Sequence, residues 1–493
     1  MRNTIKQGKK TGLLIGALAL VIALSACTSS GGKKDAAVQG LDREDKGALK
    51  VAYFNEEAFY MQYGNAFQAM FPNVQLEVVS TESVFNAEDP VEEMEKLIAE
   101  QQPDALYLTE EQYAELAKKG LLYDLEAVVK QDEFGLDGFQ PSVIELLKAR
   151  GGGKLFGLSP SFASQALYYN KDMFDKHGIP YPTDGMSWEE VMQLAARFPV
   201  KKDGDDALNG LYQSSSNTFD LIRTIGEAKG LMYADADAGT VSIDSPEWKA
   251  IFQSVIEGYK SGSISMPSDS GGTGPGATVS MRGMGGKTMV FGGDSMKFVS
   301  GQAAMTIDSP MIMMFMGGMK MGGFSTSVGA AKKANSSTAK GQSVSPAKEL
   351  NWDVVTMPVD PSQPDVTGSM SLDSVFSINA SSENIPAAWE FLKYANGEQL
   401  AKTGSKSSPS LSSRPAFKKE VEGKNIDAFY ALEANTQLLL QTMPAGFQDS
   451  FAQMASGQIK KAVDGSQSVD EVLKTIQTQG QDLLTKAKVE AEQ

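Results

Sequence analysis

The chain has little of what redox and metal chemistry require. Its 493 residues include one Cys and one His. A single Cys excludes an intrachain disulfide, a Cys-based zinc site and an iron–sulfur cluster, and a single His leaves no His triad for a catalytic metal. No cofactor is implied. Cations are also scarce: 45 Lys plus Arg face 61 Asp plus Glu, a net charge of −16 with an isoelectric point near 4.8. Nucleic-acid affinity rests on clustered Lys and Arg, so a large phosphate-binding face is not expected. Signatures of common enzymes are missing too, with no G-x-S-x-G elbow, P-loop or H-E-x-x-H. A glycosidase needs only two carboxylates, so 61 acids leave that alternative open, to be separated from a receptor by release of reducing sugar. The length is enough for two or more domains or lobes around a sizeable core.

What is present begins at the amino terminus. Arg2, Lys6, Lys9 and Lys10 precede a run of twelve apolar residues, Leu13 to Leu24. That run is too short for a hydrocarbon core about 30 Å thick and reads as a secretory signal, residues 1–26. Leu24-Ser25-Ala26-Cys27 resembles the bacterial lipobox, in which the Cys thiol takes up diacylglycerol and becomes the new amino terminus. Cys27 is therefore expected to carry the lipid, with palmitate-type acyl chains supplying the two-chain anchoring that one chain does not. The other reading is a Cys that happens to end a signal sequence. Cleavage removes four basic residues, leaving 41 cations against 61 anions and a charge of −20. Residues 27–47, rich in Ser, Gly, Lys and Ala from Thr28 to Gly40, read as a flexible tether.

From Ala48 strand-like and helix-like stretches alternate. Leu49 to Phe54, Val74 to Val79 and Ala105 to Leu108 are strand candidates. Asp89-Pro90 opens a helix to Gln102, and Thr109-Glu110-Glu111-Gln112 is a capping box whose helix Gly120 closes. Ser187-Trp188-Glu189-Glu190, Ser245-Pro246-Glu247 and Ser468-Val469-Asp470-Glu471 are further helix starts. Strands separated by such helices predict a mainly parallel α/β sheet. Two stretches break the rhythm: a Gly, Ser, Thr and Met mixture from Ser268 to Gly293, and an Ala, Ser and Lys mixture from Ser325 to Lys348. Both read as loops or insertions.

Several short motifs occur in a telling order. Pro103-Asp104-Ala105 is followed by Leu116 to Leu125, then by Gly153-Lys154-Leu155-Phe156-Gly157-Leu158-Ser159-Pro160 and Leu167-Tyr168-Tyr169-Asn170-Lys171-Asp172. After these come Ser187-Trp188-Glu189-Glu190, Phe298 to Met305, Asn351 to Pro358 and Ala387 to Leu392. Over roughly residues 48 to 420 the series resembles the extracellular solute-binding lipoproteins of bacterial ABC transporters, family 1, the carbohydrate type similar to maltose-binding protein. The resemblance implies an α/β, two-lobed periplasmic-binding-protein-like fold of type II, with lobes joined by a multi-strand hinge. Residues 48–158 plus 300–378 would form the first lobe and 159–299 plus 379–493 the second. It further implies a monomeric, non-catalytic receptor at the outer face of the cell membrane that closes on a small solute, expected to be a sugar, and delivers it to ABC permease subunits. The alternative is a receptor for a peptide or siderophore, or a ligand sensor for a membrane kinase.

Site residues follow from position within that frame. Tyr53 and Asn55 end the first strand, where open α/β sheets place ligands, although Asn55 has a structural alternative. Phe162, Ser164 and Gln165 fill the stretch at the interlobe crossing, as contacts or as turn residues only. Asp308-Ser309-Pro310 sits where the family shows a Gly-Pro-Trp-like turn, with Met311 in place of the aromatic residue. Arg414 either holds a carboxylate or hydroxyl or plays a structural part. Trp188, Trp248, Trp352 and Trp389 all lie in helix or strand patterns, so their number does not argue for sugar stacking. Of 24 Met residues, twelve lie between Met266 and Met321. Thioethers ligate Cu(I), but they also fill irregular apolar gaps. His177, before Gly178, suits a helix end.

Overall fold

The computed structural model describes residues 40–200, 208–213, 217–267, 297–316, 350–404, 410–436, 443–444 and 446–491, with the backbone of 277–282, 288–292 and 326–330. Parallel strands β1 (Gly47–Tyr53), β2 (Val74–Ser80), β3 (Ala105–Leu108) and β4 (Gly157–Leu158) share the first sheet with antiparallel β17 (Val375–Ile378), in the order β2-β1-β3-β17-β4. Helices cross between the parallel strands, and their ends are set by local chemistry. Asp89 accepts from the N–H groups of Val91 and Glu92 to start Pro90–Gln101, and Thr109 with Gln112 forms the capping box of Glu110–Lys118. Asp104 explains why Pro-Asp precedes β3. Its buried carboxylate accepts from Lys50 N (2.9 Å), Ser382 Oγ (2.7 Å) and Asn384 Nδ2 (3.3 Å), tying β1 to the turn after β17.

The second sheet has the order β14-β6-β12-β7, built from β6 (Ala166–Asn170), β7 (Asn209–Gln213), β12 (Ala303–Asp308) and β14 (Trp352–Val355). Every residue of β6 is buried, which requires a partner on each edge, and β12 and β14 supply them in antiparallel register. Lys171 Nζ meets Asp353 Oδ2 at 2.7 Å, fastening the start of the following helix to β14. On this sheet pack the helices Trp188–Ala195, Asp220–Ala228, Pro246–Ser261, Phe447–Val463 and Val469–Ala491, around a core that contains Trp188 and Trp248. A small hairpin of β8 (Ala234–Asp235) and β9 (Thr240–Val241) is held by Gln477 and Gln481 of the last helix.

Short strands join the two sheets. β5 (Ser161–Ala163) lies between β16 (Ser371–Leu372) and β18 (Leu411–Ser412), and β15 (Val366–Thr367) pairs with β19 (Glu433–Ala434). The chain therefore crosses at β5, between β14 and β17, and between β18 and the Phe447–Val463 helix. This is the two-lobed periplasmic-binding-protein fold with a multi-strand hinge.

The expected division of segments needs correction. The resemblance implies residues 300–378 in the first lobe, yet β12 and β14 belong to the second sheet because they flank β6. It implies residues 379–493 in the second, yet the Ile385–Ala395 helix lies on β17, β1 and β3, where Phe391 meets Phe59, Phe67 and Phe376. The stretch read as a loop from Ser268 to Gly293 contains β10 (Ala277–Arg282) and β11 (Thr288–Gly292), which join β13 (Thr326–Ala330) in an antiparallel three-stranded sheet. Thr278-Val279-Ser280 and Thr288-Met289-Val290 carry a period-two pattern too short to stand out among the surrounding glycines.

Candidate functional site

The chain leaves the first sheet at Leu158, passes through β5 and enters the second at Ala166, which pairs with Asp308 at the end of β12. Gln213 ends β7 one step away, opposite Ile307. The carboxyl ends of β1, β3 and β4 thus face the edge of the second sheet marked by Ala166, Asp308 and Gln213. Open α/β sheets hold ligands outside these ends.

On the first-sheet side the two expected contacts have partners within the fold. Tyr53 is 3% exposed, its hydroxyl donates to Gln62 Oε1 at 2.8 Å, and its ring packs against Phe59, Tyr63 and Tyr107. Burial, helped by Tyr63 and Tyr107, pushes that hydroxyl's pKa well up. Asn55 caps the helical turn Glu56–Phe59 by accepting from Ala58 N, and its Nδ2 donates to Glu82 Oε1. The residue between them was missed. Phe54 is 42% exposed and meets Phe85, 41% exposed, edge to face at 5.7 Å. Strand alternation does not single it out, because Phe54 lies just past the end of β1 and Val51, Ala52 and Tyr53 before it are all buried.

At the hinge, Phe162 is fully buried with its ring edge-on to Tyr430, so it supports β5 and offers no surface to a solute. Ser164 is also buried, its hydroxyl donating to the Gln165 carbonyl at 3.5 Å. Gln165 is partly exposed, and its N–H donates to Ser369 Oγ. Two carboxylates mark this region. Glu110 Oε1 takes Arg150 Nε at 2.6 Å while Oε2 accepts the Leu372 N–H at 2.7 Å. Burial raises the Asp373 carboxyl's pKa against the hydrogen bonds of Ser161 and Ser410.

On the second-sheet side, Asp308 accepts from Ser309 N (2.7 Å) and Ser309 Oγ (3.4 Å), and burial pushes its pKa up to about 6. Tyr168 donates its hydroxyl to the Ser309 carbonyl at 3.1 Å. Met311, on the turn Pro310–Met314, is 43% exposed. Asp308, Ser309, Met311 and Gln165 therefore stand at one edge. Arg414 does not join them, because it is buried, donates Nε to the Asn396 carbonyl at 2.7 Å and lies 4.1 Å over the Phe139 ring. Its role is structural.

The four Trp residues are all buried, in line with their helix and strand patterns. Met305, Met313 and Met316 are core residues, and among the described residues no group of three or more His, Cys, Asp or Glu gathers as a metal site. His177 ends its helix edge-on to Phe198. Cys27 and the expected tether up to Gln39 lie outside the described residues. No described helix is long and apolar enough to cross a membrane. Beside the hinge is a cavity of about 90 Å³, lined by Arg223, Glu227, Tyr233 and Gln448 among others. The arrangement offers rings and hydrogen-bonding groups on facing walls, which suits holding a solute.

Comparison with known proteins agrees with this geometry. The chain resembles a sugar-binding protein, MalE, from Xanthomonas citri (16% identity, TM-score 0.61, covering 90% of this chain and 99% of that one). It is also similar to a sugar transporter from Rhizobium etli in an open conformation (19%, TM-score 0.57, 88% and 99%). A third similar structure is an ABC substrate-binding protein from Listeria monocytogenes in complex with cycloalternan (18%, TM-score 0.55, 90% and 99%). At these identities the likeness concerns the fold. The sequence profile described as bacterial extracellular solute-binding protein matches residues 62–434. With two sheets facing each other across a strand hinge and most of its length within that profile, the chain belongs to the bacterial extracellular solute-binding protein family.

Proposed function

We propose that this protein captures a carbohydrate or oligosaccharide outside the cytoplasmic membrane and presents it to an ABC importer, acting as a monomer without catalysis. The observation that carries the reading is the opposition of the Gln165, Asp308, Ser309 and Met311 edge to the strand ends beside Phe54 across a hinge of short strands. A solute touching both walls binds the closed form better than the open one and shifts the population toward closure, the form a permease reads. The sugar class is supported by the similar proteins, which include a sugar-binding protein, a sugar transporter and a cycloalternan complex. Attachment through Cys27 completes the reading, keeping the receptor beside its transporter.

A thermal-shift screen of the mature protein against sugars and peptides tests it. A ligand at 100 times its dissociation constant stabilises the fold by about 2.7 kcal/mol, a rise of a few degrees. A shift with sugars and unchanged sugar after incubation supports the receptor. Shifts with peptides alone, or release of reducing sugar, overturn it.

A further inference from the structure

We propose that the cavity beside the hinge is a subsite for two neighbouring hydroxyls of the solute, with Arg223 as donor and Glu227 as acceptor. The inference rests on the carbohydrate reading and deepens it. Arg223 and Glu227 stand four apart on the helix Asp220–Ala228, hence on one face. Arg223 Nη1 lies 2.6 Å from Glu227 Oε1, and Nη2 lies 3.9 Å from Asp220 Oδ1. The guanidinium has five N–H donors in a fixed plane, and a carboxylate has about four lone-pair sites. One contact between the two leaves capacity on both. Their side chains are 38% and 27% exposed, so they are partly dried yet reachable. Tyr233 adds a buried hydroxyl whose pKa burial pushes up to about 12, which keeps it a neutral donor. Leu231, Met232, Ala234 and Met443 supply the apolar wall that the C–H face of a ring needs.

The charge pattern selects the class. Glu227 and Asp220 disfavour an anion, while an uncharged diol both accepts from the guanidinium and donates to the carboxylate. Size selects the extent. About 90 Å³ is well below the roughly 300–1,000 Å³ of sites that enclose a drug-sized ligand, so the cavity takes one edge of a sugar. The site is also held rigidly. Gly226 lets the helix close on Trp248, since a Cβ there would come 2.1 Å from the indole. Hinge residue Gly368 passes the same helix so closely that its own Cβ would stand 3.2 Å from that of Glu227, and Asn435 Nδ2 donates to the Glu227 carbonyl at 3.5 Å. The helix that carries the pair is thus fixed to the residues that follow β15 and β19.

The test uses the mature chain with maltotriose, raffinose and cycloalternan as calorimetric probes. The tightest binder is then measured on Arg223→Ala, Arg223→Lys, Glu227→Gln and the double Arg223→Ala/Glu227→Gln. The expected result is a rise in Kd of about tenfold or more in each single variant, with the double little worse than the singles because the pair acts as a unit. Bound sugar is also expected to shield Arg223 of the unaltered protein from phenylglyoxal, read by peptide mass spectrometry, which keeps the test valid if a variant misfolds. Unchanged Kd values in folded variants, or equal labelling with and without sugar, overturn the subsite while leaving the receptor standing. If none of the three sugars binds the unaltered protein, the carbohydrate reading falls and the subsite with it.

Discussion

Glu110 joins the first lobe to the hinge: its Oε2 accepts the Leu372 N–H of β16 at 2.7 Å while its Oε1 takes Arg150 Nε at 2.6 Å. The two side chains are 12% and 17% exposed, so the pair is poorly screened. Glu110→Ala leaves the Arg150 guanidinium without its carboxylate and the Leu372 N–H without its acceptor, and should cost roughly 2–4 kcal/mol. Glu110→Gln keeps an acceptor for Leu372 and should cost less. Urea unfolding gives the order, and equal losses in the two variants would show that the charge is irrelevant.

Asp308 makes stability depend on pH in an unusual direction. Its carboxyl is raised from 3.8 to about 6 by burial. Between those values the native state holds more protons than the unfolded state, so this group's contribution to stability falls as pH rises, and above about 6 the loss is complete. Asp308→Asn should therefore gain on the order of 1–3 kcal/mol at pH 7.5 and nothing near pH 3.5. Thermal melts at the two pH values check this, and a gain that is independent of pH would rule out burial of the charge as the cause.

Arg414 should matter for folding and leave recognition alone. Arg414→Lys keeps the charge but lacks the plane that lies over Phe139 and the Nε that reaches Asn396. A loss of about 1–3 kcal/mol is expected from the broken hydrogen bond and stacking. Ligand Kd measured well below the melting temperature should not change. A tenfold weaker Kd with intact stability would return Arg414 to the cleft.

Cys27 is open to a chemical readout. Cells fed labelled palmitate should transfer label to the protein, and Cys27→Ala should abolish the label and release the protein from the membrane fraction. Retention of label in the variant would place the lipid elsewhere.

Much of the fold was legible because its signals are local. A cap needs only the few residues around it, and Asp89, Thr109 and Ser187 cap helices where their spacing says they should. Family motifs also proved to be joints of the scaffold, such as Asp104 under the first sheet and Lys171 on Asp353. The candidate site was less legible. Tyr53 and Phe54 are adjacent aromatics, and only packing reveals that one is sealed in and the other open. Arg414 in a promising motif found Phe139, some 275 positions earlier, before it could find a ligand.

The sequence by itself determined the helix starts, the acidic body and the order of motifs that marks the family, since each depends on neighbours a few residues away or on composition. Only the tertiary structure decided which segments share a sheet and which side chains keep a surface. β12 joins β6 across more than 130 residues, and the Ile385–Ala395 helix returns to strands laid down near the start of the chain. Burial belongs to the environment that such distant partners build around a residue, and the residue's own chemistry does not specify it.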